Sequence, residues 1–329
     1  MFCAFYRADG QNNKECAMSW QHDFCERLGG KLGVKVMEDA MVSVVRQMVD
    51  AGCDINEKGY DNAPLWASLL EDEEVPASLI SYLLANGAVL PKEGGENPSL
   101  LFTALENKMD RRVIELLIEH GADPSYVDEE EGETALQYAC SNDMYPLELY
   151  KLLVEKGSPI NVQKKSCGNS ALGNATLRSL NDSIIEYLLE QGADVNVVDS
   201  EGDTPLMRLC LQNYGVSDSA RLLVEHGARI DVVNDEGKTV MGVAATNFWG
   251  DTDLVEYLLS LGMDPNAVEG GKTYLMMTLE SYNWDVAETL IEGGFTNFDH
   301  KDEEGKTIFE ILDDEDRDRL NALIEKCGA

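Results

Sequence analysis

The sequence predicts an all-α solenoid: helix–turn–helix units stacked on one another and joined by β-hairpin-like turns. Three residue columns, each recurring at a near-constant interval, carry that prediction. Glycine recurs at Gly52, Gly87, Gly121, Gly157, Gly192, Gly227, Gly262 and Gly294, in steps of 35, 34, 36, 35, 35, 35 and 32 residues. A second column, Ala63, Ser99, Thr134, Ser170, Thr204, Thr239, Thr273 and Thr307, keeps steps of 34 to 36 residues. From Gly87 onward an apolar pair precedes each glycine: Leu83–Leu84, Leu117–Ile118, Leu153–Val154, Leu188–Leu189, Leu223–Val224, Leu258–Leu259 and Leu290–Ile291.

Each element of the unit follows from these columns. A glycine two residues before the second column (Gly132, Gly168, Gly202, Gly237, Gly271, Gly305) permits the positive φ of a tight turn. The hydroxyl column then supplies acceptors for the free amides at the start of the first helix. Pro64 and Pro205 fall at the first helical position, where no amide hydrogen is needed. The apolar pair closes the second helix on a face that only a neighbouring unit can bury, and the long-spaced glycine ends that helix in a left-handed residue. Terminal copies are atypical: Asp39 to Ala51 reads as a lone second helix and Asp316 to Lys326, with Arg317 and Arg319 on a polar face, as the closing one. The expected organisation is a non-repeat segment over 1–36 and a repeat array over 37–329. A short helix is expected at Ser19 to Leu28, and Gly29, Gly30 and Gly33 form a join.

The unit resembles the ankyrin repeat, whose motifs are G-x-T-P-L-H-x-A at the first helix and L-L-x-x-G-A-D-x-N after the second. Gly202 to Leu206 and Gly192 to Asn196 are the best copies, and the resemblance runs from about Met37 to the C-terminus. One departure is systematic. The family histidine, which helps tie neighbouring turns, is replaced by Trp66, Phe102, Gln137, Gly173, Met207, Gly242, Met276 and Glu310. The resemblance implies binding of a partner protein on the concave side, through turn tips and first helices. Carried onto this chain, those positions are Ser200, Glu201 and Asp203 in one turn, Asp235, Glu236 and Lys238 in the next, and Glu269 and Lys272 in a third. Gln212, Thr246, Asn247 and Ser281 stand at first-helix ends, Lys164 and Lys165 form a basic tip, and Trp66 and Phe102 add apolar contact.

Composition limits the ligand. With 61 acidic and 26 basic residues the formal charge is -35, which opposes a phosphate backbone and favours a basic protein surface. The acidic runs Glu71–Glu74, Asp128–Glu131, Asp302–Glu304 and Asp313–Asp316 read as solvated turns. The eight cysteines have no paired spacing and suit a reducing, cytoplasmic interior, and no run is long and apolar enough for a membrane span. The strings Gly237-Lys238-Thr239, Gly271-Lys272-Thr273 and Gly305-Lys306-Thr307 lack the earlier glycine of a phosphate loop, since Val232, Asn266 and His300 stand there. His120 and His226 read as helix-end residues, and Cys16, His22 and Cys25 lack compact metal-ligand spacing. Cys140 and Cys210 read as small buried hydrophobes without a neighbouring base, so no cofactor, metal or catalytic residue is expected.

Tyr214, Phe248, Trp249 and Tyr282 occupy matching loop positions between the helices of successive units, where stacking would align them as a stripe that either binds or packs. The sequence thus points to a non-enzymatic, monomeric interaction scaffold with an acidic surface and aromatic anchors. An inhibitor presenting carboxylates in place of nucleic-acid phosphates is the alternative.

Overall fold

The computed structural model describes residues 34–328, apart from 51, 53, 59–62, 73–74, 95–98, 143, 179–180, 213–215 and 248–249. The expected helix at Ser19–Leu28, the Gly29–Gly33 join, and Cys16, His22 and Cys25 lie outside these residues. The chain divides into two compact units, Met1–Pro159 and Ile160–Ala329.

In the first unit, α1 (Val34–Asp50) is followed by a 3-10 helix, η1 (Leu65–Glu71), and then by α2 (Ala77–Ala85), α3 (Leu100–Glu106), α4 (Arg111–Glu119), α5 (Ala135–Cys140) and α6 (Leu147–Glu155). First helices pack on first helices (η1 on α3, α3 on α5) and second on second (α1 on α2, α2 on α4). The Ala63 copy departs from expectation. Alanine has no side-chain acceptor, so Pro64 takes the capping position without a side-chain bond and the helix after it is 3-10. Ser99 and Thr134 cap α3 and α5 as expected, and Gln137 completes a capping box by accepting from the Thr134 amide at 2.9 Å.

The second unit holds α7 (Ala171–Leu177), α8 (Asp182–Glu190), α9 (Pro205–Cys210), α10 (Ser217–Glu225), α11 (Val240–Thr246), α12 (Thr252–Ser260), the hairpin β1 (Val268–Glu269) and β2 (Lys272–Thr273), α13 (Tyr274–Glu280), α14 (Trp284–Glu292), α15 (Ile308–Ile311) and α16 (Asp314–Cys327). The first helices α7, α9, α11 and α13 pack in sequence, as do the second helices α8, α10, α12, α14 and α16. Both terminal helices exceed their expected bounds. The closing helix α16 buries Leu320 alone and turns Asp314, Glu315, Asp318 and Glu325 to solvent, which suits the end of a stack. Arg317 does more than face water: it donates to the carbonyls of Phe309 and Leu312.

Burial refines the apolar-pair column. The leading leucines Leu83, Leu117, Leu153, Leu188, Leu223, Leu258 and Leu290 are all buried, at 3% exposure or less. Four of the second members (Ile118, Val154, Val224 and Leu259) are only half-buried. Adjacent helical residues point about 100° apart, so one member faces the core and the other its margin. Each fully buried leucine contributes roughly 1.5–3 kcal/mol, most of it available only once a neighbour covers the face.

The two glycine columns answer different constraints. Gly192 (φ 87°) closes a Schellman turn, in which the amides of Gly192 and Ala193 donate to Leu189 and Leu188. Space around it is open, so only the dihedral requires glycine. Gly202 (φ 75°) is also crowded, because a Cβ there would lie 2.9 Å from the Asp235 amide of the next turn. Gly202→Ala should therefore destabilise the second unit by about 2–4 kcal/mol and Gly192→Ala by only about 1 kcal/mol, read from urea unfolding.

Glu93, ahead of α3, accepts from the Ser99 hydroxyl at 2.8 Å and the Asp123 amide at 3.3 Å. Burial is the largest influence on its carboxyl and holds its pKa above the usual glutamate value despite those bonds. A raised folded-state pKa means the native state binds the proton more tightly than the unfolded chain. Wild type should gain stability relative to Glu93→Gln as pH falls from 7 toward 5, measured as the difference in urea midpoints.

Candidate functional site

The candidate surface is built from the turns of the second unit. Three of these turns open on an Asx residue whose side chain organises the loop behind it. Asp199 Oδ1 accepts from the amides of Glu201 (2.8 Å) and Asp203 (3.0 Å), and Asn234 Oδ1 from those of Glu236 (3.1 Å) and Lys238 (2.9 Å). Asp302 does the same for Glu304 and Lys306, both at 2.9 Å. The turns are also bonded to one another. The Ser200 amide donates to the Cys167 carbonyl at 2.9 Å, and the Asp235 amide to the Glu201 carbonyl at 3.0 Å. The outward side chains Ser200, Glu201, Asp235 and Glu236 are exposed on this fixed backbone.

Several residues expected on a binding surface serve the scaffold instead. Trp66 and Phe102 are 6% and 7% exposed, and the Phe102 ring packs against Tyr126 and Tyr138 at 5.6 and 5.0 Å, so neither offers an outer contact. They fill the core because the position three residues after the second column faces inward in these repeats. Asp203 is buried too. Its carboxylate accepts from Asn234 Nδ2 at 2.7 Å and lies beside Arg208, which is ion-paired with Asp199 and Glu201. Gln212 donates to the Leu177 carbonyl, and Asn247 to the carbonyls of Cys210 (2.7 Å) and Gln212 (2.9 Å). The Thr246 carbonyl accepts from Ser281 Oγ at 3.1 Å. Within the second unit these loop residues bond one repeat to the next. Tyr214, Phe248 and Trp249 lie outside the described residues, and Tyr282 is 69% exposed.

Glu269 is likewise internal. It reaches back from β1 to the start of α11, accepting from the Thr239 amide at 3.1 Å, Thr239 Oγ1 at 2.6 Å and the Tyr274 hydroxyl at 2.7 Å. Thr239 therefore does not cap its own helix as expected. The carboxylate occupies the space beside Gly242, where a Cβ would overlap Oε2. Gly242 is the replacement for the family histidine, so the missing tie is supplied from the following repeat. Gln137 and Glu310 at the same position complete capping boxes within their own repeats.

A second column of ties escaped the sequence reading. Asn161, Asn196 and Asn266 each donate through Nδ2 to the carbonyl of the glycine ending the next second helix (Gly192, Gly227, Gly294). Their Oδ1 atoms accept from Asp194, Arg229 and Thr296 amides two residues beyond those glycines. Asn56 bonds Gly87 and Val89 identically in the first unit. The signal was present, since all four asparagines stand four residues after a column glycine.

Candidate reactive groups are absorbed by structure. Cys140 and Cys210 are buried, and burial pushes both thiols far up from their usual pKa, away from the nucleophilic thiolate. His120 and His226 are helix C-caps whose Nδ1 atoms contact the Leu116 and Leu222 carbonyls at 2.8 Å. The lysines of the Gly-Lys-Thr strings pair with Glu236, Glu280 and Glu304. Glu288, Glu292 and Cys327 lie close enough to share a cation, but Lys326 already pairs with Glu288. Among the described residues no helix is long and apolar enough to cross a membrane.

A family model described as ankyrin repeats (3 copies) matches residues 77–164, 100–199 and 172–269. The chain belongs to the ankyrin-repeat family, whose repeats generally mediate protein–protein interaction. It is similar to the B-cell lymphoma 3 protein homolog of Mus musculus, 36% identical over 168 residues, covering 50% of this chain and 36% of that protein. It is also similar to the palmitoyltransferase ZDHHC13 of Mus musculus (27% over 224 residues; 57% and 35%) and the E3 ubiquitin-protein ligase KEG of Arabidopsis thaliana (31% over 96 residues; 29% and 6%). The chain spans less than half the length of each of these relatives.

The Glu269–Gly242 arrangement makes a double-mutant prediction. Glu269→Ala should cost about 1–3 kcal/mol by stranding the Thr239 amide, and Gly242→Ala alone about 1–3 kcal/mol by overlap. Combined with Glu269→Ala, Gly242→Ala should be neutral or stabilising through helix propensity, giving a coupling of at least about 1 kcal/mol in urea unfolding.

Proposed function

We propose that this chain is a binding module, not an enzyme, and that the turn edge of its second unit recognises a protein with a basic surface. Among the turn positions first assigned to the partner, the exposed set Ser200, Glu201, Asp235 and Glu236 is kept for contact, and exposed Tyr282, after the end of α13, keeps its binding role. The observation that carries this reading is that exposed carboxylates stand on turns hydrogen-bonded to each other, at Ser200–Cys167 and Asp235–Glu201. Fixed charges attract a complementary surface without first losing their own freedom, which favours rapid and specific association.

The enzyme names among the relatives belong to proteins much longer than this chain. Asp203, Gln212, Thr246, Asn247 and Glu269 contribute to binding indirectly, by holding the edge in shape.

A twelve-residue arginine–glycine peptide serves as the probe in stopped-flow association. The rate should fall several-fold between 50 and 300 mM salt. Changing Glu201→Gln, Asp235→Asn and Glu236→Gln together should remove most of that dependence. The same number of neutralisations on exposed second-helix positions (Glu186→Gln, Glu190→Gln, Glu256→Gln) should leave most of it. Equal loss in both variants would reduce the effect to net charge and overturn the assignment of the edge.

A further inference from the structure

Among the described residues, two that are not glycine have positive φ: Lys108 (56°) and Tyr282 (58°). They occupy one position of the repeat. Each follows the C-cap of a first helix, Asn107 after α3 and Ser281 after α13. The bonding is the same at both. The Lys108 and Met109 amides donate to Leu105 and Ala104, and the Tyr282 and Asn283 amides to Leu279 and Thr278. This is the Schellman geometry that the column glycines from Gly87 onward use, here imposed on a residue with a side chain.

An L-residue held in this conformation is strained by roughly 1–2 kcal/mol, and packing usually repays it. At Tyr282 it does not: the side chain belongs to the most exposed large hydrophobic residue among those described, at 69%, and stacks on no other described aromatic ring. One carboxylate close by in sequence is exposed, Asp285 at the start of α14, whereas Glu280 is held by Lys272 Nζ at 2.7 and 2.8 Å. Elsewhere in the same unit, Arg221 lies over Tyr257 and Arg319 over Trp284, each with 4.2 Å from guanidinium carbon to ring centroid. Aromatic ring plus nearby carboxylate is a receptor for guanidinium, which stacks on the face and bonds at the edge.

We infer that Tyr282 is an anchor for an arginine side chain of the protein partner, held outward at the expense of fold stability. This rests on the reading of the second unit as a surface for a basic protein, and it adds the residue type that surface selects. Lys cannot substitute fully, because its compact ammonium is more strongly hydrated and does not present a flat face.

The test compares arginine–glycine and lysine–glycine peptides of twelve residues, by fluorescence anisotropy, on wild type, Tyr282→Phe and Tyr282→Gly, with melting temperatures for each protein. Wild type and Tyr282→Phe should prefer the arginine peptide by about threefold to fivefold. Tyr282→Gly should abolish the preference yet raise the melting temperature by about 1–3 °C, because glycine relieves the left-handed strain. A lowered melting temperature in Tyr282→Gly would show the ring to be a packing element and overturn the inference. So would an unchanged arginine preference. If both peptides bind with equal, salt-sensitive affinity, the acidic edge stands and the anchor falls. If the arginine preference persists in the Glu201→Gln, Asp235→Asn, Glu236→Gln protein while the salt dependence is unaltered, the anchor stands and the edge falls. Absence of binding to wild type overturns both.

Discussion

What the fold rests on is burial of the leading leucine of each second helix, from Leu83 to Leu290, which a short helix cannot achieve by itself. Leu188, Leu223, Leu258 and Leu290 are completely buried on helices of nine residues, too short to persist in water by themselves. Order in one repeat is therefore conditional on order in the next. The polar ties obey the same rule. Asn161, Asn196 and Asn266 each bond the end of the following second helix, and Asp203, Asn247 and Glu269 bond adjacent turns or loops. Burial supplies most of the energy, while these directional bonds fix the register at which burial occurs.

The repeat was legible because its columns answer to local backbone chemistry. A helix end in left-handed geometry calls for glycine whatever surrounds it, and a helix start calls for a side-chain acceptor, so Gly192 and Thr204 could be placed from sequence alone. What could not be placed depends on partners about thirty residues away. That Glu269 would turn inward depends on the emptiness beside Gly242, and that Asp203 would be buried depends on Asn234 and Arg208 arriving together. Trp66 and Phe102 were misread for a related reason. Their position had been identified by what the family places there, a polar histidine, although every other occupant of the position but Glu310 is buried as well. The departure at Ala63 was legible only in part: the loss of a capping acceptor could be foreseen, the conversion to a 3-10 helix could not.

The division of labour that results separates scaffold from surface on single turns. Within Asp199–Asp203, the first and last carboxylates are buried in bonds to amides, Arg208 and Asn234, while Ser200 and Glu201 between them face outward. Net negative charge is thus spent in two ways, as internal hydrogen-bond acceptors and as an outer field. Counting acidic residues in the sequence overstates the second. The outer field also differs along the edge, since Lys238 and Lys306 partly neutralise their turns by pairing with Glu236 and Glu304.

The backward reach of Glu269 bears on how the chain acquires its structure as it is made. The carboxylate that satisfies the Thr239 amide is synthesised thirty residues after it. At translation rates of 5–20 residues per second that interval is roughly 1.5–6 s, far longer than a helix needs to form. Until Glu269 emerges, the start of α11 must rely on water. A nascent chain paused within this interval would present a frayed helix end, exposed to any chaperone or protease that engages unsatisfied backbone.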